Sequence, residues 1–192
     1  MRGLIAIVSV CVVVTFAAGC ASTPASRFYT LSATTTSGAT SSDVSIAVGP
    51  VSVPAVVDRP QIVVTTGPNQ VRLEEFNRWA APLQNSIARV VAENLVAMLG
   101  TPRVTLSQSL SADADYRAAI EVQRFESTLG EAATLDAVWT VSRTKDGKSQ
   151  TGRTTVREVT QDKGFDALAA AHSRAVARLS RDIADAVRSL GQ

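Results

Sequence analysis

Alternating apolar and polar residues mark the first part of the chain as β structure. Val44, Ile46 and Val48 alternate with polar or small residues, which predicts a half-buried strand until Gly49-Pro50 bends it. Next, "QIVVTTGPNQVRLEE" has two short runs of this kind around the turn residues 66–69. This arrangement predicts a β-hairpin.

Two later segments have the spacing of amphipathic helices, in which apolar residues recur every three or four positions. The first helix should begin near Pro82 and stop at Gly100, because proline suits a first helical turn and glycine suits a helix end. The second should run from Phe165 to about Leu190. The first stripe comprises Leu83, Ile87, Val90, Val91, Asn94, Leu95 and Met98, and the second comprises Phe165, Leu168, His172, Val176, Leu179, Ile183, Val187 and Leu190.

Strand patterns return between the two helices. "RVTLS" at 103–107 predicts a short strand, and the alternations that start at Tyr116 and Leu135 predict two longer ones. Lys145-Asp146-Gly147-Lys148 is typical of a tight hairpin, and it leads into a polar strand at 150–159 that should lie at a sheet edge. We therefore expect an α+β fold: a mixed, mostly antiparallel sheet covered by two amphipathic helices, in a single domain over residues 44–192.

Residues 1–19 have the pattern of a removable export signal. Arg2 supplies a positive start, and residues 4–18 are apolar except for Ser9 and Thr15. This apolar run is shorter than the ~20 residues that a spanning helix needs, and small residues follow it. We expect the leader to be cleaved before Cys20.

Cys20 stands where the small residues end, in Ala17-Ala18-Gly19-Cys20. This tetrad resembles the lipobox of bacterial lipoproteins, which implies lipidation at Cys20, and Ala21 in place of Asp implies sorting to the outer membrane with the domain on the periplasmic face. A secretory signal with a chance cysteine and an uncleaved anchor are the alternatives. Cleavage would also remove Cys11, the other cysteine of the chain, so no internal disulfide could form. Residues 20–43 would then be a lipidated tether, interrupted by a short docking strand at "RFYTLS".

Composition and charge exclude several classes of function. The 192 residues include 19 Lys or Arg and 17 Asp or Glu, for a net charge of +2, without the basic stripe that nucleic acid requires. His172, the sole histidine, has no second imidazole with which to form a metal pair, and its place on an apolar stripe favours a core or rim position. We therefore expect no metal and no cofactor.

Catalytic motifs give no better support for an enzyme. Gly147-Lys148-Ser149 resembles part of a phosphate-binding loop, but Ser142 stands where that motif needs a glycine. Glu74-Glu75 reads as a solvated pair at a strand end rather than as an acid/base dyad, and a Gly-x-Ser-x-Gly elbow is absent from the sequence. The sequence favours a protein without catalytic activity.

The most specific segment lies between residues 48 and 100. It resembles the PqiC family of ABC-type transport auxiliary lipoproteins, which begin with "vgPvxvPxxldRPqiV", continue with a hairpin, and then have "feRWaePL" before a helix. The positions that match are Pro50, Pro54, Asp58, Arg59, Pro60, Gln61, Ile62, Val63, Phe76, Arg78, Trp79, Pro82 and Leu83. The family's "qiVtR" continuation is absent, since residues 63–65 are Val-Val-Thr.

The resemblance implies an accessory subunit of a Pqi- or Mce-type intermembrane lipid transport system that supports membrane integrity. Its partners would be a periplasmic Mce/Pqi-type transport protein and inner-membrane transporter subunits, and a homo-oligomeric ring is a further alternative. Two other classes remain open: a structural envelope lipoprotein that serves no transporter, and, less favoured, an envelope hydrolase.

Four residues of the matching segment are candidates for partner binding: Arg59, Pro60, Arg78 and Trp79. Pro60 restricts Arg59 to extended geometry, so the corner presents a charge where a strand begins. One interpretation is purely structural, with Arg59 paired to a nearby carboxylate and Trp79 packed on the core. The other is an interface, because Trp and Arg are favoured anchors of protein contacts.

Overall fold

The computed structural model describes residues 24–35, 42–106 and 113–192, which form one α+β domain. The described elements follow the predicted order: four strands precede the first helix, four strands follow it, and a long helix ends the domain. They are β1 (Arg27–Tyr29), β2 (Ile46–Ser52), β3 (Gln61–Gly67), β4 (Gln70–Trp79), α1 (Leu83–Leu99), β5 (Val104–Leu106), β6 (Tyr116–Thr128), β7 (Ala132–Arg143), β8 (Ser149–Val159) and α2 (Phe165–Gly191). Neither of these two helices is long and apolar enough to cross a membrane.

The thirteen-residue strand β6 organises the sheet. On one side it pairs antiparallel with β7 along its whole length, and β7 pairs antiparallel with β8. On its other side the first half of β6 takes β2 in parallel, and its far end meets β3, with Val64 opposite Ser127. The β3–β4 hairpin, the parallel pair of β1 with β4, and β5 beside β2 complete the sheet. The long ladders are antiparallel and the parallel ones are short, which confirms the predicted fold class.

The sequence predicted that Gly49-Pro50 bends the first strand, and the ladder is irregular at this pair. β2 runs through this pair to Ser52 and keeps its parallel partner β6 on both sides of it. The register shifts between Val48 and Val51, so that three steps along β2 lie opposite two steps along β6. An irregularity of this kind accommodates a residue that has no N–H, and Gly49 has a φ of 123°, which glycine tolerates best.

Both helices lie against the sheet with the apolar faces that the sequence predicts. α1 follows Pro82 and ends at Gly100, whose φ of 64° is left-handed and whose N–H donates to the carbonyl of Val96. The buried positions of α2 repeat every three or four residues from Leu168 to Val187. Asn94 Nδ2 donates to Ser180 Oγ at 3.2 Å, a buried hydrogen bond that joins the two helices. The helix bounds agree with the sequence prediction to within a residue.

The sheet face opposite the helices carries ion pairs. Asp136 on β7 accepts two hydrogen bonds from Arg153 on β8, at 2.7 and 2.6 Å, and a third from Thr155. The Arg153 guanidinium holds the pKa of the Asp136 carboxyl below its ordinary value. On β6, Arg124 pairs with Glu126. These contacts confirm β8 as a polar edge strand.

His172 lies in the core. Its ring stacks on Phe125 with centroids 3.9 Å apart, and Trp79 stands edge-on to it at 6.0 Å. Nε2 shares a hydrogen bond of 2.8 Å with Ser127 Oγ, while Nδ1 has no partner among the described residues. Burial lowers the pKa of His172 from 6.5 to about 3, so the imidazole is neutral in the folded protein.

The buried imidazole makes stability depend on pH. Between pH 7 and 5 the unfolded chain gains a proton on His172 that the folded chain does not, so the free energy of unfolding should fall by about 2 kcal/mol. Chemical denaturation at several pH values measures this loss, and His172→Gln should flatten it. The lowered pKa values of Asp115, Asp136 and Asp146 act at lower pH, because unfolded carboxyls protonate near pH ~4. An unchanged slope in the variant would contradict the assignment.

Gly152 on β8 lies against the ring of Trp139 across the ladder. A Cβ at this position would be 2.2 Å from Trp139 Cζ2, closer than the packed ring can tolerate. Gly152→Ala should therefore lower the free energy of unfolding by about 1–3 kcal/mol, the usual cost of overpacking. Gly67→Ala is the control, because its Cβ would meet the nearest atom at an ordinary 3.7 Å. Equal thermal midpoints for the two variants would refute the predicted clash.

Candidate partner-binding site

The β3–β4 hairpin brings the four candidate residues together at its open end. Arg59 and Pro60 precede β3, and Arg78 and Trp79 end β4. The antiparallel register places Gln61 opposite Arg78, and the Trp79 N–H donates to the Pro60 carbonyl at 2.7 Å. The sequence motif thus corresponds to one corner of the structure, although its two halves are nearly twenty residues apart.

Trp79 belongs to the core side of this corner. It is only 6% exposed, and its ring lies 6.1 Å from Phe125 and 6.0 Å from His172, edge-on to both. Contacts of this kind add to the large apolar area that an indole buries. The structure therefore places Trp79 on the core, as the first interpretation expected, and leaves little of its surface for a partner.

Arg59 occupies the partly buried side of the corner without an anionic partner. A tight turn leads into it, in which the N–H groups of Val57 and Asp58 both donate to the carbonyl of Pro54. Arg59 Nε is buried and has no hydrogen-bond partner, and no ion pair within the described ranges includes this residue. The expected pairing of Arg59 with a nearby carboxylate was wrong, because the turn leaves the adjacent Asp58 exposed to solvent.

Arg78 and Pro60 form the outer part of the corner. Arg78 Nε donates to the carbonyl of Glu75 at 2.7 Å, and its guanidinium lies 3.7 Å from the Glu75 carboxylate. Because both side chains are more than one-third exposed, this ion pair contributes little to stability. Pro60 is exposed beside it. The corner therefore combines an exposed proline, a solvated arginine and a partly buried arginine that lacks a counter-ion.

Cys20 and Cys11 lie outside the described residues, so the predicted lipidation stays a prediction. The described chain begins at Pro24 and enters the sheet three residues later as β1. The docking strand expected at "RFYTLS" is thus confirmed. Its last residue is tied down by the Tyr29 hydroxyl, which donates to Asn77 Oδ1 at 3.0 Å.

The cleft beside α1 offers a binding surface without acid/base side chains. This cleft of about 600 Å³ lies between the start of α1 and the strand pair β2–β5, and its lining contains no histidine, cysteine or carboxylate. Arg89, its single charged group, is engaged by Glu93 and by the carbonyl of Leu31. Over the described ranges, no three metal-ligating side chains converge on one point.

Sequence reasoning missed a group of exposed apolar side chains around the hairpin. Val71 and Leu73 on β4 and Val56 in the turn before β3 are 49%, 38% and 47% exposed. Val71 and Leu73 alternate with polar neighbours in the same way as the residues of a half-buried strand. No local signal distinguishes an apolar strand face that is covered from one that is left open.

A family model described as the ABC-type transport auxiliary lipoprotein component matches residues 29–184. A comparison with curated protein sequences gave no match. The crystal structure of an uncharacterized protein aligns with a TM-score of 0.70 at 20% identity, over 85% of this chain and 99% of that one. A Xanthomonas campestris protein assigned to the DUF330 family model aligns with a TM-score of 0.69 at 20% identity, over 83% and 93%.

The PelC dodecamer from Paraburkholderia phytofirmans is more distant, with a TM-score of 0.42 and 16% identity over 78% of this chain and 92% of that one. A likeness of that size carries no argument about assembly. The two closer structures share the fold, and the family model spans the domain from the docking strand to the last helix. The chain belongs to the family of ABC-type transport auxiliary lipoprotein components.

Proposed function

We propose that this protein is an outer-membrane lipoprotein that faces the periplasm and serves as an accessory subunit of a Pqi- or Mce-type intermembrane lipid transport system. In this role it binds other envelope proteins and supports membrane integrity. The family match over residues 29–184 is the observation that carries the proposal. The lipobox-like sequence at Cys20 supplies the means of attachment.

Acylation of Cys20 would hold the domain at the bilayer. One buried acyl chain binds a membrane only marginally, whereas two or more chains hold a protein stably. Only six residues lie between Cys20 and Arg27, where β1 joins the sheet. The domain would therefore work close to the membrane surface rather than at the end of a long tether.

The corner formed by Arg59, Pro60, Arg78 and Trp79, which we call the Arg59 corner, is the part of the domain best suited to bind a protein partner. A guanidinium with a buried, unpaired Nε is under-satisfied in the isolated domain, because buried polar groups normally find a partner. Arg59 as a whole is only partly buried, so a carboxylate or carbonyl from another envelope protein could pair with the accessible part of its guanidinium. Arginine is also favoured at the centre of interfaces. Pro60 and Arg78 would form the rim of this contact. Trp79 would contribute indirectly, because its packing in the core holds the corner in place.

Anchoring can be tested with the full-length chain. Cys20→Ala should abolish acylation, and the protein should move from the outer-membrane fraction to the soluble periplasmic fraction. Mass spectrometry of the native amino terminus measures the acyl chains directly. Cys11→Ala is the control, because it lies within the predicted leader and should change neither result. A native terminus that begins at Cys20 without acyl chains would refute the anchor.

Coupling to a transporter can be tested by crosslinking in intact envelopes, followed by identification of the attached proteins. The proposal expects inner-membrane transporter subunits or a periplasmic Mce-type protein among them. Crosslinks confined to peptidoglycan-associated or other structural envelope proteins would instead support the structural lipoprotein that the sequence left open.

Arg59 and Trp79 should respond differently to truncation. Trp79→Ala should cost about 3–5 kcal/mol of stability, because it removes a buried indole from the core. Arg59→Ala should change stability by less than about 1 kcal/mol yet reduce co-purification of the partner. Thermal melting and the yield of crosslinked partner measure the two effects.

Arg72→Ala is the matched control for charge, since Arg72 is an exposed arginine of the same hairpin that pairs with Glu74. It should affect neither melting nor partner yield. Equal partner yields for Arg59→Ala and the unmodified protein would remove the corner from the proposed interface.

A further inference from the structure

The direction of β1 tells from which side the amino-terminal segment reaches the domain. β1 runs parallel to β4 and pairs only with its last three residues, Asn77 to Trp79. Because the two strands point the same way, the chain that precedes Arg27 lies toward the beginning of β4. That end of β4 carries the hairpin turn between Gly67 and Gln70. Residues 24–26, which lead into β1, therefore approach from the side of the hairpin turn.

The length of the segment between Cys20 and β1 limits how far the membrane can be from the hairpin. Arg27 is seven positions after Cys20, and seven extended residue steps span at most ~25 Å. The distance along β4 from Asn77 back to Gln70 is also seven residues, about 23 Å at the rise of a strand. An acylated Cys20 keeps the bilayer within reach of the hairpin. This step rests on the proposed lipidation of Cys20.

Exposed apolar side chains are concentrated on β1, on β4 and in the turn before β3. The described residues include eight large hydrophobic side chains that are exposed, and five belong to β1, β4 or the turn before β3: Phe28, Val56, Val71, Leu73 and Phe76. The other three, Val96, Leu106 and Val159, lie singly on α1, β5 and β8. An apolar cluster of this kind marks an interaction surface more often than scattered residues do.

Two of these side chains form a patch near the hairpin turn. Val71 and Leu73 are two residues apart on β4, so they point to one face, opposite Thr65 and Val63 on β3. Val71 also lines a groove of about 200 Å³ beside the turn residues Gly67 and Gln70. We call Val71 and Leu73 the hairpin patch.

We propose that the hairpin patch rests on the lipid bilayer and sets the orientation of the domain on the membrane. A tether of this length gives the bilayer a high effective concentration beside the patch, so a weak apolar contact is populated once the anchor is in place. Arg27, an exposed cation at the start of β1, stands where the amino-terminal segment joins the domain and can approach lipid phosphates. The Arg59 corner, at the opposite end of the hairpin, then faces the periplasm and its proteins.

Single cysteines allow a direct test in the lipidated, full-length protein. The mature chain has no free thiol once Cys20 is acylated and the leader that contains Cys11 is removed. Val71→Cys and Leu73→Cys are labelled with bimane in vesicles of phosphatidylethanolamine and phosphatidylglycerol that contain nitroxide-labelled lipid. Val159→Cys is the matched control, because Val159 is apolar, 62% exposed and located on the far edge strand β8. Unchanged thermal melting confirms that each variant folds.

The proposal expects several-fold stronger quenching by nitroxide lipid at positions 71 and 73 than at 159. Equal quenching at all three positions in membrane-bound protein overturns the proposal and leaves the anchor standing. Positions 71 and 73 that are shielded by a crosslinked protein, without lipid quenching, also overturn it and assign the patch to a protein partner. An amino terminus without acyl chains, seen by mass spectrometry, overturns both the anchor and the orientation.

Discussion

The aromatic cluster of Trp79, Phe125 and His172 holds the two halves of the domain together. Each residue comes from a different part of the chain: the end of β4, the central strand β6 and the long helix α2. Phe125 and His172 stack at 3.9 Å, and Trp79 stands edge-on to both. By backbone pairing, the β3–β4 hairpin meets β6 at one described register pair, Val64 with Ser127. The position of the hairpin therefore depends on side-chain packing more than on backbone pairing.

The aromatic cluster fixes the positions of both the Arg59 corner and the docking strand β1. Two backbone hydrogen bonds form next to the Trp79 ring. The Trp79 N–H donates to the Pro60 carbonyl, and the Ala80 N–H donates to the Tyr29 carbonyl. One indole in the core thus positions Arg59 on one side and β1 on the other. This explains how a buried tryptophan can matter to a surface function without itself reaching a partner.

The β3–β4 hairpin takes part in both the proposed membrane contact and the proposed contact with a protein partner. Its turn lies on the side from which the amino-terminal chain enters, and its open end holds the Arg59 corner, so the two ends are suited to different surroundings. In the orientation we propose, the apolar hairpin patch meets lipid and the unpaired guanidinium meets protein. In these proposals the domain acts through position: the anchor brings it to the membrane, and the hairpin decides which surface faces the periplasm.

The sequence by itself determined the elements of this fold. Periodicity, Pro82, Gly100 and the turn residues of the two hairpins are local signals, because helix stripes, caps and tight turns are decided within a few neighbouring residues. The α+β class and the placement of His172 on an apolar stripe followed from the same patterns. Residues 48–100 also indicated the family, since the order and spacing of the matching prolines, Arg59 and Trp79 are properties of the chain alone.

Only the tertiary structure decided what surrounds each of those residues. The continuation of β2 through Gly49-Pro50 depends on β6, which pairs with it on both sides of the bulge. The lack of a carboxylate at Arg59 and the exposure of Val71 and Leu73 likewise depend on segments far away in the chain. Burial and pairing are long-range quantities: an alternating strand has the same sequence pattern whether its apolar face is covered by the protein or left open.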